Sequence, residues 1–380
     1  MLRLPPLSLY IHFPWCVKKC PYCDFNSHTL RADLPETAYI NALLEDVDHQ
    51  LPKVFFRPII SIFMGGGTPS LFSPTVIKYL LDELKKRLNF SADIEITLEA
   101  NPGTVEFQRF SAYRAAGVNR LSLGIQSFRD QQLKALGRIH DGQEAKNAVV
   151  AAKAAGFTNI NLDLMHGLPK QSLQEGLDDL TTAISLEPTH ISWYQLSIEP
   201  NTEFSVKPPK LPVDDVIWEL QEQGKVQLLK NAYTQYEISA YSRDSYHCVH
   251  NCNYWEFADY LGIGAGAYSK LSDEKRQMIT RAWKQKNPKD YLAKKNHFLG
   301  EERPIQTHEL AFEFMLNALR LHYPISSELF ECRTGLSFST LAKPLREAER
   351  LDLLSMHNDT IFLTDQGKCF YNDLIALFLP

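Results

Sequence analysis

The sequence predicts an α/β protein with a parallel sheet that closes into a barrel or an incomplete barrel, followed by a smaller helical module. Two observations predict this fold class. Short β-type segments alternate with helical patterns over most of the chain, which is typical of βαβ units and a parallel sheet. Several of these segments are almost continuously apolar or β-branched, as strands covered on both faces are.

The predicted strands occupy the first two thirds of the chain. They are Leu7–His12, Ile59–Met64, Ile94–Glu99, Arg120–Ile125, Ile160–Leu164, Ile191–Leu196 and Tyr236–Ala240. Six or seven such units indicate a barrel or a partial barrel, in which ligands bind beyond the carboxyl ends of the strands. The polar and glycine-rich loops of this chain follow five of these strands, so we expect those loops to converge on one face.

Helical patterns fill the intervals between the predicted strands. Tyr39, Leu43 and Val47 mark the apolar face of the first helix, and Ser73-Pro74 has the pattern of an N-cap followed by proline at the first helical position. Further helices are predicted near residues 104–117, 143–156, 172–187 and 214–230.

The pattern changes after about residue 300. Helices are predicted at Leu310–Leu321, Leu341–Leu354 and Cys369–Leu379, with one arm of a hairpin at Thr360–Thr364. This order resembles a winged-helix-like module, but it lacks a concentrated basic helix, so we expect capping or partner docking rather than DNA binding. The predicted parts are a barrel (1–245), a connecting region (246–300) and a winged-helix-like domain (301–380).

Composition excludes several classes of protein. The 380 residues include 40 basic and 45 acidic side chains, and a net charge of −5 argues against a protein that coats nucleic acid. No apolar run approaches the roughly 18 residues that span a bilayer, and no secretory apolar region opens the chain. Seven cysteines, an odd number, fit a reducing compartment. We expect a soluble cytoplasmic protein without a membrane span.

Three cysteines near the amino terminus form the most informative motif. Cys16, Cys20 and Cys23 have the spacing C-x3-C-x2-C directly after the first predicted strand. Three thiolates can hold three irons of a [4Fe–4S] cluster and leave the fourth iron open for an exchangeable ligand. The alternative is structural zinc with His12, Asp24 or His28 as fourth ligand. Structural zinc usually joins two separated ligand pairs, which are not seen here, so the cluster is favoured.

A glycine run follows the second predicted strand, with Gly66, Gly67 and Thr68 at its centre. Glycines let the backbone approach a ligand closely and expose its amide groups. Together, C-x3-C-x2-C and Gly-Gly-Gly-Thr-Pro resemble the radical S-adenosylmethionine (SAM) superfamily. The resemblance implies a partial (β/α)6 barrel, and a [4Fe–4S] cluster whose open iron is chelated by SAM and whose electron cleaves SAM.

Further motifs resemble the oxygen-independent coproporphyrinogen III oxidase group over nearly the whole chain. They are the runs YIHFP, EANPG, GVNRLSLGIQSF, GRIH and DLMHGLP, which begin at Tyr10, Glu99, Gly117, Gly137 and Asp163. The resemblance implies that Tyr10 and Gly66 face the cluster-bound SAM and that Glu99 holds its ribose. The same resemblance implies that the rest of the SAM cavity is lined by Tyr22, Gly67, Thr68, Gln126, Arg138, Asp163 and Gln195.

Two departures from the oxidases point to a subgroup. The oxidases carry a further cysteine two residues after the third ligand, where this chain has Phe25, and they have a longer segment before the cluster loop. Both features, with the H-N-x-x-Y-W run at residues 250–255, resemble the haem chaperone subgroup. This implies a protein that carries haem as cargo to acceptor haemoproteins, such as those of the respiratory chain. The alternative is a genuine oxidase, and SAM cleavage would then require a reductant such as a flavodoxin.

The H-N-x-x-Y-W run offers groups that suit haem. Haem iron takes a His, Cys, Met or Tyr axial ligand, and His250 lies beside Tyr254 and Trp255, whose rings can stack on a porphyrin. We therefore expect the loop 247–256 to contribute to a haem site, with a hydrogen-bonded structural anchor as the alternative role of His250. No catalytic residue is assigned. Whether the chain is an enzyme stays open, because the scaffold is that of radical enzymes but the fourth cysteine is absent.

Overall fold

The computed structural model describes residues 1–54, 56–244, 246–293 and 298–379, without the side chains of residues 104–107. The strands, in chain order, are β1 (Leu7–Phe13), β2 (Trp15–Cys16), β3 (His28–Thr29), β4 (Pro58–Gly66), β5 (Asn89–Ala100), β6 (Arg120–Gln126), β7 (Asn159–His166), β8 (His190–Gln195), β9 (Thr234–Glu237), β10 (Ala240–Ser242), β11 (Asp259–Ile263), β12 (Tyr268–Asp273), β13 (Met278–Lys284), β14 (Leu299–Pro304), β15 (Ile325–Ser326), β16 (Leu354–His357) and β17 (Thr360–Leu363).

The α-helices, in chain order, are α1 (Glu36–Val54), α2 (Pro74–Arg87), α3 (Thr104–Ala115), α4 (Asp130–Ala135), α5 (Gly142–Ala154), α6 (Leu173–Ser185), α7 (Glu203–Val206), α8 (Asp214–Lys230), α9 (Val249–Trp255), α10 (Pro288–Ala293), α11 (Thr307–Ala318), α12 (Ser327–Thr334), α13 (Ala342–Arg350), α14 (Asp365–Cys369) and α15 (Tyr371–Ala376). Two 3-10 turns, Pro69–Leu71 and Phe338–Leu341, complete the secondary structure of the described residues.

The centre of the fold is a row of parallel strands in the order β1, β4, β5, β6, β7 and β8. Helices connect successive strands of this row, and the predicted partial (β/α)6 barrel is confirmed. Side chains such as Leu9, Ile62, Leu98 and Leu121 are fully buried, as expected of strands covered on both faces. The first six predicted strands coincide with these six to within a few residues.

The prediction for one strand is wrong in its bounds and in its direction of pairing. The segment Tyr236–Ala240 was expected as a further strand of the βαβ series, but it is divided between β9 and β10, an antiparallel hairpin that extends the sheet beyond β8. The turn between them is tied by Ser239, whose backbone N–H and hydroxyl both donate to Glu237 Oε1 at 3.0 Å. Two short strands and the turn between them therefore occupy the segment that the sequence predicted as a single strand.

The opposite edge of the sheet was not predicted. After β8 and its hairpin the chain returns to β1, where β11 pairs in parallel, and β12, β13 and β14 continue the sheet in antiparallel order. The segment 246–300, expected to be a connecting region, therefore contains strands of the main sheet. Asp259, at the start of β11, is fully buried between the cations of Arg57, at 2.7 Å, and Lys270, at 3.3 Å.

The C-terminal module has the order helix, strand, two helices and hairpin, in which β15, β17 and β16 form a three-stranded sheet. This is the predicted winged-helix-like arrangement. Its own apolar core includes Phe314, Phe330 and Leu345, and it also buries Leu2 from the amino terminus. The predicted helix Leu341–Leu354 ends at Arg350. The last predicted helix, Cys369–Leu379, corresponds to α15, and the short helix α14 before it was not predicted.

None of the helices in the described part of the chain combines the length and the apolar character needed to cross a lipid bilayer.

Candidate functional site

The cysteine loop is fixed at the carboxyl ends of β1 and β4. Gly67 N–H donates to Phe13 O at 2.7 Å and Thr68 N–H to Trp15 O at 2.8 Å, so the glycine run is joined to the start of the loop. Further along the loop, Lys19 Nζ donates to Phe25 O at 3.1 Å. These contacts hold the three cysteines against the predicted SAM loop.

Each of the three thiols contacts a different polar side chain. Thr68 Oγ1 lies 3.5 Å from Cys16 Sγ, Arg138 Nη1 lies 3.7 Å from Cys20 Sγ, and Ser27 Oγ lies 3.7 Å from Cys23 Sγ. Burial raises the pKa of Cys16, an effect that the hydrogen bond from Thr68 opposes. All three thiols line a cavity of about 330 Å³.

Two of the thiol contacts belong to one hydrogen-bond chain. Arg138 Nη2 donates to Asn101 Oδ1 at 2.5 Å, and Asn101 Nδ2 donates to Thr68 Oγ1 at 3.0 Å. Cys20 and Cys16 are thereby linked through three side chains. The guanidinium of Arg138 therefore places a positive charge beside the sulfur of Cys20. Asn101 belongs to the EANPG run, but the sequence did not assign it a role.

The zinc alternative finds no support in the side-chain geometry. Both ring nitrogens of His12 are engaged, Nδ1 with Tyr10 Oη and Nε2 with Asn26 O, each at 2.9 Å. Burial lowers the pKa of His12 to about 4. Across residues 1–54, 56–244, 246–293 and 298–379, no three His, Cys, Asp or Glu side chains are close enough to hold a single metal ion.

Two partly buried carboxyl groups converge on the same cavity from β5 and β7. Gly66 N–H donates to Glu99 Oε2 at 3.2 Å, while Asp163 accepts from Ser122 Oγ at 2.9 Å and from Asn161 Nδ2 at 2.8 Å. Burial, and secondarily the charge of Asp163, raises the pKa of Glu99 to about 8. Burial also raises the pKa of Asp163. The pair supplies acceptors for the hydroxyl or ammonium groups of a ligand.

Backbone conformation shapes the floor of this cavity. Gly66 has φ +107°, and a Cβ atom there would lie 2.4 Å from the His12 ring, so no other residue fits. Gln126, at the end of β6, has φ +68°, a strained value for a residue with a side chain. Its Oε1 accepts from Tyr194 Oη at 2.9 Å, which fixes the strained residue against the cavity wall.

Most of the residues predicted for the cluster and SAM line this cavity, which we call the thiol cavity. They are Cys16, Cys20, Cys23, Tyr22, Gly66, Gly67, Thr68, Glu99, Gln126, Arg138 and Asp163. Tyr10 lines an adjoining cavity, and Gln195 lines a third cavity. Four further residues line the thiol cavity but were not predicted as site residues from the sequence: Asn101, Ser122, Ser192 and Tyr194. Of these, only Asn101 and Ser122 lie in runs that the family resemblance had singled out.

The adjoining cavity, of about 470 Å³, is mostly aromatic, and we call it the aromatic cavity. It shares Phe25, Gly66 and Glu99 with the thiol cavity, so the two are neighbours. Its other lining residues include Tyr10, Phe63, His250, Tyr254, Trp255, Tyr260, Tyr268 and Arg281. The predicted haem residues His250, Tyr254 and Trp255 therefore meet in one cavity beside the cysteines.

The H-N-x-x-Y-W run forms the short helix α9 rather than a loop. Glu95 accepts the backbone N–H groups of Val249 at 3.2 Å and His250 at 3.1 Å, which anchors the start of this helix. His250 Nδ1 lies 3.1 Å from Ser61 Oγ, and its ring centroid lies 5.1 Å from that of Phe63. Burial lowers the pKa of His250 to about 3, so its ring is neutral at physiological pH.

Comparisons with known proteins agree with this geometry. The Radical SAM superfamily profile matches residues 10–182, and the HemN C-terminal domain profile matches residues 305–370. The haem chaperone HemW of Haemophilus influenzae is 52% identical over 383 residues, covering 100% of this chain and 99% of that protein. HemW of Escherichia coli is 48% identical over 379 residues, covering 100% of both.

A solved structure shares the fold of the whole chain. Coproporphyrinogen III oxidase (HemN) from Escherichia coli has a TM-score of 0.83, with 24% identity, covering 99% of this chain and 90% of that chain. The HemN C-terminal match falls on the winged-helix-like module, and the superfamily match on the first strands of the barrel. Because the full-length relatives at 48–52% identity are haem chaperones, the predicted resemblance is confirmed, and the chain belongs to the HemW haem chaperone family of the radical SAM superfamily.

Proposed function

We propose that this protein binds haem and delivers it to acceptor haemoproteins, while it carries a [4Fe–4S] cluster and SAM. The observation that carries this proposal is the aromatic cavity, which adjoins the thiol cavity and contains His250. Haem needs an apolar pocket with an axial ligand, and this cavity offers aromatic walls and the imidazole of His250. Membership of the HemW family supports the same function.

We assign the cluster to Cys16, Cys20 and Cys23 and SAM to the remaining residues of the thiol cavity. The donor set fits, because three thiols lie beside a glycine backbone and two partly buried carboxyl groups. When bound, the cluster supplies one electron and an open iron on which SAM is held. Arg138 and Thr68 contact two of the thiols and orient them, and Glu99 accepts hydrogen bonds from SAM.

His250 is the proposed axial ligand of haem. A neutral imidazole is the form that ligates metal, and the low pKa of His250 keeps the ring neutral. Ser61 engages Nδ1, so Nε2 remains for iron, and a partner on the second nitrogen is the usual way in which a ligating imidazole is oriented. Tyr254 and Trp255 then provide the aromatic faces of the pocket.

The partners follow from this assignment. We propose haemoproteins such as those of the respiratory chain as acceptors, a flavodoxin-type reductant if SAM is cleaved, and no nucleic acid. We place the protein in the cytoplasm, where thiols stay reduced.

Haem titration of the anaerobically reconstituted protein tests the proposal. His250→Ala should weaken haem binding by about tenfold or more, the scale of losses at metal sites, and should change the Soret band. His247→Ala is the matched control, because His247 precedes the same helix but stacks on Tyr236 at 4.1 Å and does not line the aromatic cavity. Equal haem affinity in all three proteins would refute the assignment of His250.

The oxidase activity is the second candidate, favoured by the similarity of the whole fold to HemN. The side chain of Phe25, which stands where the oxidases have a cysteine, is 60% exposed and borders both cavities. The reduced, reconstituted protein should be given SAM and coproporphyrinogen III, with a true oxidase assayed in parallel. Protoporphyrinogen IX formed over many turnovers would make the protein an oxidase, and its absence would leave the chaperone function.

A further inference from the structure

A third cavity, of about 500 Å³, lies between the barrel and the C-terminal module, and we call it the junction cavity. Strands β7, β8 and β10 and helix α8 line it on the barrel side, and His322 with residues of α14 lines it on the other. It shares Tyr194 and Ser239 with the thiol cavity. The junction cavity is therefore a neighbour of the thiol cavity but shares no lining residue with the aromatic cavity.

One wall of the junction cavity is aromatic. Trp193, Tyr194 and Tyr241 come from the edge of the sheet, and Trp218 comes from α8. The side chain of Trp218 is 51% exposed, so an indole remains open to solvent at the mouth of the cavity. The flat faces of these rings suit a planar conjugated ligand, which can stack on them.

His166, which belongs to the DLMHGLP run, also lines this cavity and is only 3% exposed. Neither of its ring nitrogens has a hydrogen-bond partner among the described residues, and Nδ1 is fully enclosed. Because Nδ1 is enclosed, a ligand in the cavity can contact only Nε2. Burial lowers the pKa of His166 to about 4, so the ring is neutral, and Nε2 is the nitrogen that remains for a ligand.

Charged groups surround the mouth of the junction cavity. Lys225 pairs with Glu222 at 2.8 Å, and Lys368 pairs with Asp365 at 2.9 Å. These ion pairs are at the surface and contribute little stability, so a carboxylate of a ligand can replace the acidic partner at small cost. An anionic ligand therefore meets two ammonium groups.

We propose that the junction cavity is a second haem-binding site, in which His166 is the axial ligand and the lysines meet the propionates. The proposal rests on the proposed function and adds a second position for the same cargo. An unpaired imidazole, a wall of aromatic rings and cations at the mouth are together the groups that recognise a metalloporphyrin with carboxylate substituents. Because the site touches both the barrel and the C-terminal module, its haem lies at the junction of the two.

Titration of the anaerobically reconstituted full-length protein with ferric haem tests the proposal. The wild type should bind two haems, and His166→Ala and His250→Ala should each retain one, with different Soret spectra. Added imidazole should restore the lost spectrum of His166→Ala, because it enters the space that the side chain vacates. His308→Ala, at an exposed histidine of the C-terminal module, is the matched control and should bind as the wild type does.

Trp218→Ala provides a second readout if His166→Ala fails to fold. The residue is half exposed, so the variant should fold, and its binding at the junction cavity should weaken by about tenfold. A single haem that is lost in His250→Ala and unaffected by His166→Ala and Trp218→Ala would overturn the second site alone. If the wild type binds no haem, the proposed function fails as well.

Discussion

Replacement of Glu99 by glutamine should change the pH dependence of stability. Burial raises the pKa of Glu99 from 4.5 to about 8, so the folded protein keeps a proton on this carboxyl group that the unfolded chain has lost. Between these two pH values the folded state binds more protons than the unfolded state. The free energy of unfolding therefore falls as pH rises, and the loss is complete above about pH 8.

The magnitude follows from the two pKa values. The difference between about 8 and 4.5 is 3.5 pH units, which at about 1.36 kcal/mol per unit gives an upper limit of ~4.8 kcal/mol. Glu99 is only partly buried and lines two cavities, and we therefore expect about half of this limit, ~2 kcal/mol. Glutamine does not titrate and can still accept the hydrogen bond from Gly66.

Denaturant unfolding of the cluster-free protein at pH 5, 7 and 9 provides the assay, with circular dichroism as the signal. Glu99→Gln and the wild type should have similar stability at pH 5, and the variant should be more stable by ~2 kcal/mol at pH 9. Glu301→Gln, at an exposed position of β14, is the control and should follow the wild type. A difference between Glu99→Gln and the wild type that does not vary with pH would refute the reasoning.

Three further changes test other parts of the structure. Asp259→Asn leaves the buried cation of Lys270 without a counter-charge and should cost about 3–5 kcal/mol in denaturant unfolding, and a loss under ~1 kcal/mol would contradict this. Cys20→Ala should abolish cluster absorbance near ~400 nm after anaerobic reconstitution, whereas Cys369→Ala, at an exposed thiol, should retain it. Asn101→Ala breaks the hydrogen-bond chain between two cluster thiols and should speed the loss of iron to a chelator by about tenfold, whereas an unchanged rate would show that the chain does not support the cluster.

The sequence was most informative where the cause is local. The βαβ alternation predicted the six central strands, because buried parallel strands need nearly continuous apolar segments. The spacing of Cys16, Cys20 and Cys23 indicated an incomplete cluster site, because metal chemistry restricts the ligand type and number. Placement of these loops at the carboxyl ends of the strands then followed from the fold class, and most of the predicted SAM residues do line one cavity.

The strands near the edges of the sheet could not be predicted from local sequence patterns. Strand β14 has the sequence Leu-Gly-Glu-Glu-Arg-Pro, which carries no β-type pattern, and it forms because β13 offers free backbone groups to pair with. Strand β11 is a parallel neighbour of β1 although more than 240 residues separate them. No local pattern of residues reports such a pairing, because it is decided by the closure of the chain on itself.

Side-chain partners were likewise decided by tertiary structure alone. The H-N-x-x-Y-W run marked His250 as a haem candidate, but its contacts come from Ser61, Phe63 and Glu95, on strands far away in the chain. In the same way, the unpaired His166 is a candidate ligand because it lines a cavity, and the opposite wall of that cavity belongs to the C-terminal module. The sequence by itself determined which chemical groups this protein has. Their pKa values, neighbours and cavities depend on burial and distance, which exist only once the chain is folded.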